Sequence, residues 1–345
     1  MATNTSGGTT ASFSNTPQAV ADTYYEWEDL LNTWYFDVMA DDLGGNAKVL
    51  YSVDDGTNST SSTLAGADLL TQDTARAECT SGDTSANGAK IWITTDGKVG
   101  YDATTLTSSF KSALQALSVG ESLSDTFIYA IRLSNGTLSW TTVTIIYQGQ
   151  NDAVVMAAAT AQIGVTEDVT LSATGTATFT DPDHHDTHTA TFAADPSNTT
   201  HLGAFALGAL TESGGNGSVG WSYTLDNAAS QYLGANDVVY EKYVISVSDG
   251  HGSTTTETVT VAIHGTNDIP VVIAGGNVSG AVQEDVAVGG DSKLHSSGSF
   301  NFTDADYSDT HSVSVAPGGN GYAIAIDSTG FPWVTQLAWI STERN

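Results

Sequence analysis

Lys242-Tyr-Val-Ile-Ser-Val-Ser248 and Glu257-Thr-Val-Thr-Val-Ala-Ile263 flank the turn Asp249-Gly250-His251-Gly252. Apolar and polar residues alternate in both runs, the period of half-buried strands. Glycine in the turn supplies the positive φ angles of a hairpin. Working outward, Gly265-Thr266-Asn267-Asp268 closes this β-rich run, and Gly149-Gln150-Asn151-Asp152 closes an earlier one at Thr141–Tyr147. The two marks lie about one sandwich domain apart. Asp125–Ile131 reads as a strand leading into a second hairpin at Ser134-Asn135-Gly136, and Gly97–Asp102 as a strand after a turn. The chain is thus all-β, a tandem series of β-sandwich domains. Expected boundaries are a polar arm at 1–20, sandwiches at 21–150 and 151–268, and a partial repeat at 269–345. The most helix-like segments, Ala21–Leu31 and Leu106–Leu117, are expected to hold at most a turn or two of helix each.

A longer phrase occurs twice. Glu167-Asp168, Phe179-Thr180-Asp181-Pro182-Asp183 and Asp186-Thr187-His188 return as Glu284-Asp285, Phe302-Thr303-Asp304-Ala305-Asp306 and Asp309-Thr310-His311. The second copy has no counterpart to Trp221–Asp226 or to the late hairpin. It ends in a conspicuously apolar tail, Phe331–Ile340. A sandwich lacking those strands leaves open edges. Three explanations compete: a fragment of a larger adhesin, a frayed remnant, or completion by a strand from a neighbouring subunit in a head-to-tail polymer.

With 39 acidic and 9 basic residues the formal net charge is −30. That balance argues against nucleic acid, which needs clustered Lys and Arg, and against docking on an anionic membrane. No apolar run approaches the ~20 residues of a membrane-spanning helix. A single cysteine, Cys79, rules out an internal disulfide framework. The opening Met1-Ala-Thr-Asn-Thr-Ser-Gly-Gly has neither the basic nor the apolar region of a cleaved signal peptide. The protein is therefore intracellular, or leaves by a route that reads no N-terminal signal.

The acidic clusters suggest Ca²⁺, which takes six to eight hard oxygen ligands. Asp181, Asp183 and Asp186 stand within six residues, and Asp304, Asp306 and Asp309 repeat the spacing. In the first cluster, Glu167 or Asp168 and the linker residues Asn151 and Asp152 are expected to complete the set. In the second, Glu284, Asp285, Asn267 and Asp268 hold the matching positions. The competing reading is that these Asp residues cap turns. Zinc on His184, His185 and His188 is disfavoured, because only His188 has a counterpart, in His311. Those two histidines are expected to bond within their own turns. No catalytic constellation assembles, so the chain reads as a non-enzyme. Trp27, Trp34 and Tyr35 could form a glycan-binding face, against which stands ordinary packing.

The residues also carry a resemblance. Gly265-Thr266-Asn267-Asp268-Ile269-Pro270 and Val247-Ser248-Asp249-Gly250-His251-Gly252 resemble the closing signature and late hairpin of VCBS repeats. Phe36–Asp42 and Asp96–Asp102 look like the cadherin-like domains found beside them. The likeness covers about residues 20 to 315. It implies immunoglobulin/cadherin-like sandwiches of bacterial surface or secreted proteins, acting in adhesion or biofilms, with cell-surface or matrix partners and often exported by type I secretion. Two departures stand out: the repeats are few, and no glycine-rich RTX block is present.

Overall fold

A computed structural model describes residues 18–54, 68–77, 83–158, 163–277, 279–281, 283 and 298–313, and the backbone alone at 2–6, 9–13, 46 and 68. Glu284, Asp285, Cys79 and the apolar tail lie outside the described residues. In the arm, β1 (Ala2–Ser6) and β2 (Thr9–Phe13) pair antiparallel as a sheet of their own.

The first sandwich comprises β3 (Asp22–Trp27), β4 (Thr33–Phe36), β5 (Val49–Asp54), β6 (Lys90–Ile93), β7 (Val99–Asp102), β8 (Ser122–Arg132) and β9 (Leu138–Gln148), with helix α1 (Ser108–Leu114) between β7 and β8. One sheet runs β3-β9-β8-β5 and the other β4-β7-β6. The second sandwich comprises β10 (Val155–Met156), β11 (Ile163–Thr166), β12 (Ser172–Thr180), β13 (Thr189–Ala194), β14 (Gly203–Ser213), β15 (Asn216–Leu225), β16 (Val238–Ser248) and β17 (Thr254–His264), with a one-turn helix α2 (Asn227–Ser230). Its sheets run β10-β12-β15-β14 and β11-β17-β16-β13. This is the immunoglobulin-type split of strands between two sheets. Beyond it, β18 (Val271–Ile273) pairs with β19 (Asn301–Thr303), repeating the β10–β12 pairing.

Period-two burial builds each core. On β16 Glu241, Tyr243, Ile245 and Val247 turn inward, and on β9 Val143, Ile145 and Tyr147 do so. Two separate hydrophobic clusters result, one per sandwich. One fully buried acid in each sandwich is provided with donors on both oxygens. Asp125 accepts from the Tyr101 hydroxyl at 2.5 Å and from Asn87 N and Nδ2. Glu241 accepts from the Tyr223 and Tyr243 hydroxyls and Leu202 N.

The helix expected over Leu106–Leu117 is α1. The one expected over Ala21–Leu31 is instead strand β3, because its register is fixed by parallel pairing with distant β9. That pairing sets Trp27 beside Gln148, just as Thr166 of β11 sits beside His264 of β17. Each parallel edge strand therefore ends where its sandwich hands over to the next. No helix among the described residues is long and apolar enough to cross a membrane.

Candidate functional site

The first junction is built on Gly149. A Cβ there would lie 2.3 Å from the Ser118 carbonyl oxygen, so only glycine lets the linker pass this close. The chain then runs over Glu28, at the end of β3, whose Oε1 accepts from Gln150 N at 2.7 Å. Asp152 N donates to Asp183 Oδ2 at 2.9 Å, and Asp183 N donates to Asp181 Oδ1 at 2.9 Å. Asn151 Nδ2 donates to the Asp152 carbonyl and to Asp249 Oδ2, which turns its Oδ1 the other way.

These bonds use one oxygen of Glu28 and one of Asp183 and leave the other without a donor. Glu28 Oε2, Asn151 Oδ1, Asp152 Oδ2 and Asp183 Oδ1 are buried and unpartnered. Glu28 and Asp183 are each only 1% exposed. One oxygen from each of Glu28, Asp152 and Asp183 comes within 4.8 Å of the others. Burial, with mutual repulsion, pushes Glu28 up to about 7 and Asp183 up to about 6, and raises Asp152 as well. Carboxylates so placed need a cation or protons.

The second junction repeats the construction. A Cβ on Gly265 would lie 2.3 Å from the Leu233 carbonyl oxygen. Glu167 Oε1 accepts from Thr266 N at 2.9 Å, Asp268 N donates to Asp306 Oδ2 at 2.7 Å, and Asp306 N donates to Asp304 Oδ1 at 3.1 Å. Glu167 Oε2, Asp268 Oδ2 and Asp306 Oδ1 are buried and unpartnered. Burial again raises all three carboxyls.

The structure thus gathers Asn151, Asp152, Asp181, Asp183 and Asp186 at one junction, and Glu167, Asn267, Asp268, Asp304, Asp306 and Asp309 at the other. It corrects the expected assembly on two counts. Glu167 does not join Asp181–Asp186: β11 carries it to the far pole of the second sandwich, while the loop after β12 returns to the near pole. Asp168 is exposed, with φ 57°, and its carboxylate accepts from Asn227 Nδ2 and Gln231 Nε2. It closes a local turn. The residue missed in the sequence is Glu28. Its signal was the pair Glu28-Asp29, the same dipeptide as Glu167-Asp168.

The histidines serve the acids. His188, its side chain 2% exposed, sets Nε2 3.0 Å from Asp181 Oδ2 and Nδ1 2.7 Å from Glu212 Oε2. His311 repeats the contact to Asp304 Oδ2 at 2.6 Å. His185 pairs with Glu121 across the junction, and His251 with Asp186. His184, His185 and His188 do not converge, so they form no zinc site. Nor do the three aromatics share a face. Trp34 packs beside Tyr101 and Tyr147, while Trp27 and Tyr35 stand exposed on opposite sheets.

No protein-family model matches the chain. No curated protein matches it either. Among solved structures it is similar to protocadherin gammaB7 EC3-6, at 11% identity and TM-score 0.38, over 73% of this chain and 48% of that one. It is similar to mouse cadherin-23 EC22-24, at 14% identity and TM-score 0.35, over 74% and 73%. Human CDH23 EC21-23 matches at 14% identity and TM-score 0.35, over 95% and 91%. The chain spans about half the length of the first of these. Likeness at this level decides nothing about ligand or partner. The two junctions do not depend on it: each is an oxygen-lined, donor-poor pocket where one sandwich meets the next segment.

Proposed function

We propose that this chain is a non-catalytic structural or adhesive repeat protein of the extracellular space, its sandwiches joined by Ca²⁺-stiffened linkers. The observation that carries this reading is the repeated set of buried, unpartnered oxygens at the two junctions. The ligand set would be Glu28, Asn151, Asp152 and Asp183 at the first, and Glu167, Asp268 and Asp306 at the second. Asp181 and Asp304, held by His188 and His311, orient those ligands. Hard carboxylate and amide oxygens in irregular array suit Ca²⁺ better than Mg²⁺, which demands near-octahedral order. Bound there, the ion would neutralise the repelling carboxylates and tie each linker to both its neighbours.

The resemblance to VCBS repeats extends this to bacterial surface or secreted proteins in adhesion or biofilm matrix. The test is a thermal melt of the full chain with Ca²⁺ and with chelator. Chelation should lower the melting temperature and loosen the chain in small-angle scattering. Identical melts and profiles would refute the reading.

A further inference from the structure

The end of the first sandwich away from the junction gathers a different set of oxygens. Asp22 opens β3, and Asp42 lies in the loop between β4 and β5. The Tyr129 hydroxyl reaches 3.0 Å from the Val20 carbonyl, 2.8 Å from the Val38 carbonyl and 2.8 Å from Asp42 Oδ1, and the Asp22 carboxylate lies near enough to act on it electrostatically. A phenol has one proton to donate. Three oxygens face it at hydrogen-bond distance, so two of these contacts set oxygen against oxygen with no hydrogen between.

The remaining donors do not make up the deficit. Val20 N donates to Asp42 Oδ1 at 2.6 Å, and the Tyr24 hydroxyl reaches Asp22 Oδ1 only at 3.4 Å. Asp22 Oδ2 and Asp42 Oδ2 are both buried with no partner, and Asp42 is 7% exposed. Lys48 Nζ donates to the backbone carbonyls of Met39 and Asp42. Burial, with repulsion from Asp41 and Asp42, pushes Asp22 up to about 6, and burial raises Asp42 too. The contrast is with Asp125 and Glu241, fully buried acids whose donors are in place.

This is not a third copy of the junction arrangement. Asp42 N donates to the Met39 carbonyl as Asp186 N does to that of Asp183, so methionine stands where the junction has its central acid. Lys48 stands directly before β5 where His188 stands directly before β13. Counted back from Glu167 as Asp22 is from Glu28, the sequence has Ala161, not an acid.

We propose that Asp22 and Asp42, with the carbonyl oxygens of Val20 and Val38, form a separate site for a hard divalent cation, Ca²⁺. Two carboxylates and two carbonyls offer up to six oxygens, the lower end of the Ca²⁺ range. The ion would replace the missing donors and release the Tyr129 proton to a single acceptor. It would also pin the start of β3 to the β4–β5 loop.

The test is calorimetric titration of the full chain with CaCl₂. Asp22→Asn combined with Asp42→Asn should bind one equivalent fewer than the parent, while Asp183→Asn should lose a different one. Melting in chelator reports whether the double variant is folded. Asp22→Asn alone, a milder change, should weaken one equivalent at least tenfold. Parental stoichiometry and affinities in these variants would overturn the site and leave a proton-sharing carboxyl pair in its place. The site is independent of the junction reading: an equivalent lost in Asp22→Asn with none lost in Asp183→Asn would keep this site and sink the junctions.

Discussion

The two junctions share a backbone plan and differ in how firmly side chains close around it. In both, a glycine slips past a loop carbonyl, a glutamate from the parallel edge strand receives the next N–H, and an Asp–x–Asp loop receives the linker aspartate. At the first junction Asp249, from the β16–β17 hairpin, also grips Asn151, and His251 grips Asp186. At the second, Asn267 bonds the Asp268 carbonyl and stands exposed. Cross-junction ties differ in kind: His185 meets Glu121 at the first, whereas Ser308 meets Asp237 and Tyr307 stacks near Tyr232 at the second. Only the first draws one oxygen from each of three acids within 4.8 Å, among the described residues. In the proposed reading the orphaned oxygens would make the metal pocket, and the hairpin's grip would preorganise it. The first junction should accordingly bind Ca²⁺ more tightly.

The largest effect should come from removing the ion everywhere. At ~100 times the dissociation constant each site contributes ~2.7 kcal/mol, and chelation should abolish that at both junctions. Next, Asp183→Asn should remove the Ca²⁺-dependent stabilisation of the first junction alone and Asp306→Asn that of the second, read as the change in melting temperature on adding Ca²⁺. Equal losses from either variant would erase the predicted ranking.

Gly149→Ala and Gly265→Ala test the shared backbone plan, since each new Cβ meets a carbonyl oxygen at 2.3 Å. Each should cost about 1–3 kcal/mol with or without the ion. Smaller still is the pH effect on the metal-free chain. Glu28 and Asp183 have folded values raised to about 7 and about 6, mainly by burial. His185 and His251 are raised by their carboxylate partners, and His188 is raised by Asp181 and Glu212 against the pull of burial. Every one of these groups makes the folded state the better proton binder. Stability in chelator should therefore fall as pH rises from 5 to 7.5. Denaturant melts showing a rise over that window would contradict the shifts. Smallest, Asp168→Ala should cost under about 1 kcal/mol through lost turn bonds and leave Ca²⁺ affinity unchanged.

Alternation around Asp249–Gly252 was enough to read β16 and β17, because a hairpin's partners are neighbours in sequence. Over Ala21–Leu31 the same reading finds a helix-like segment of at most a turn or two, since the partner that makes Asp22–Trp27 a strand lies more than a hundred residues away in β9. The candidate site was legible in the same uneven way. The Asp–x–Asp loops and Asn–Asp linkers stand out as repeats. Which glutamate faces which loop depends on the direction of β3 and β11, a property of the assembled sheets. Sequence alone therefore does not single out Glu28, nor does it show that Glu167 faces the pole away from Asp181–Asp186. The Asp22–Asp42 pair has no sequence signature, because its members stand on separate elements and approach only in the fold.

Anomalous X-ray diffraction from crystals grown in millimolar CaCl₂ tests the central claim most directly. The account predicts one ion at each junction, about 2.3–2.6 Å from the oxygens now without donors. These are Glu28 Oε2, Asp152 Oδ2 and Asp183 Oδ1 at the first, and Glu167 Oε2, Asp268 Oδ2 and Asp306 Oδ1 at the second. Well-ordered junctions with no anomalous density beside these atoms would contradict it.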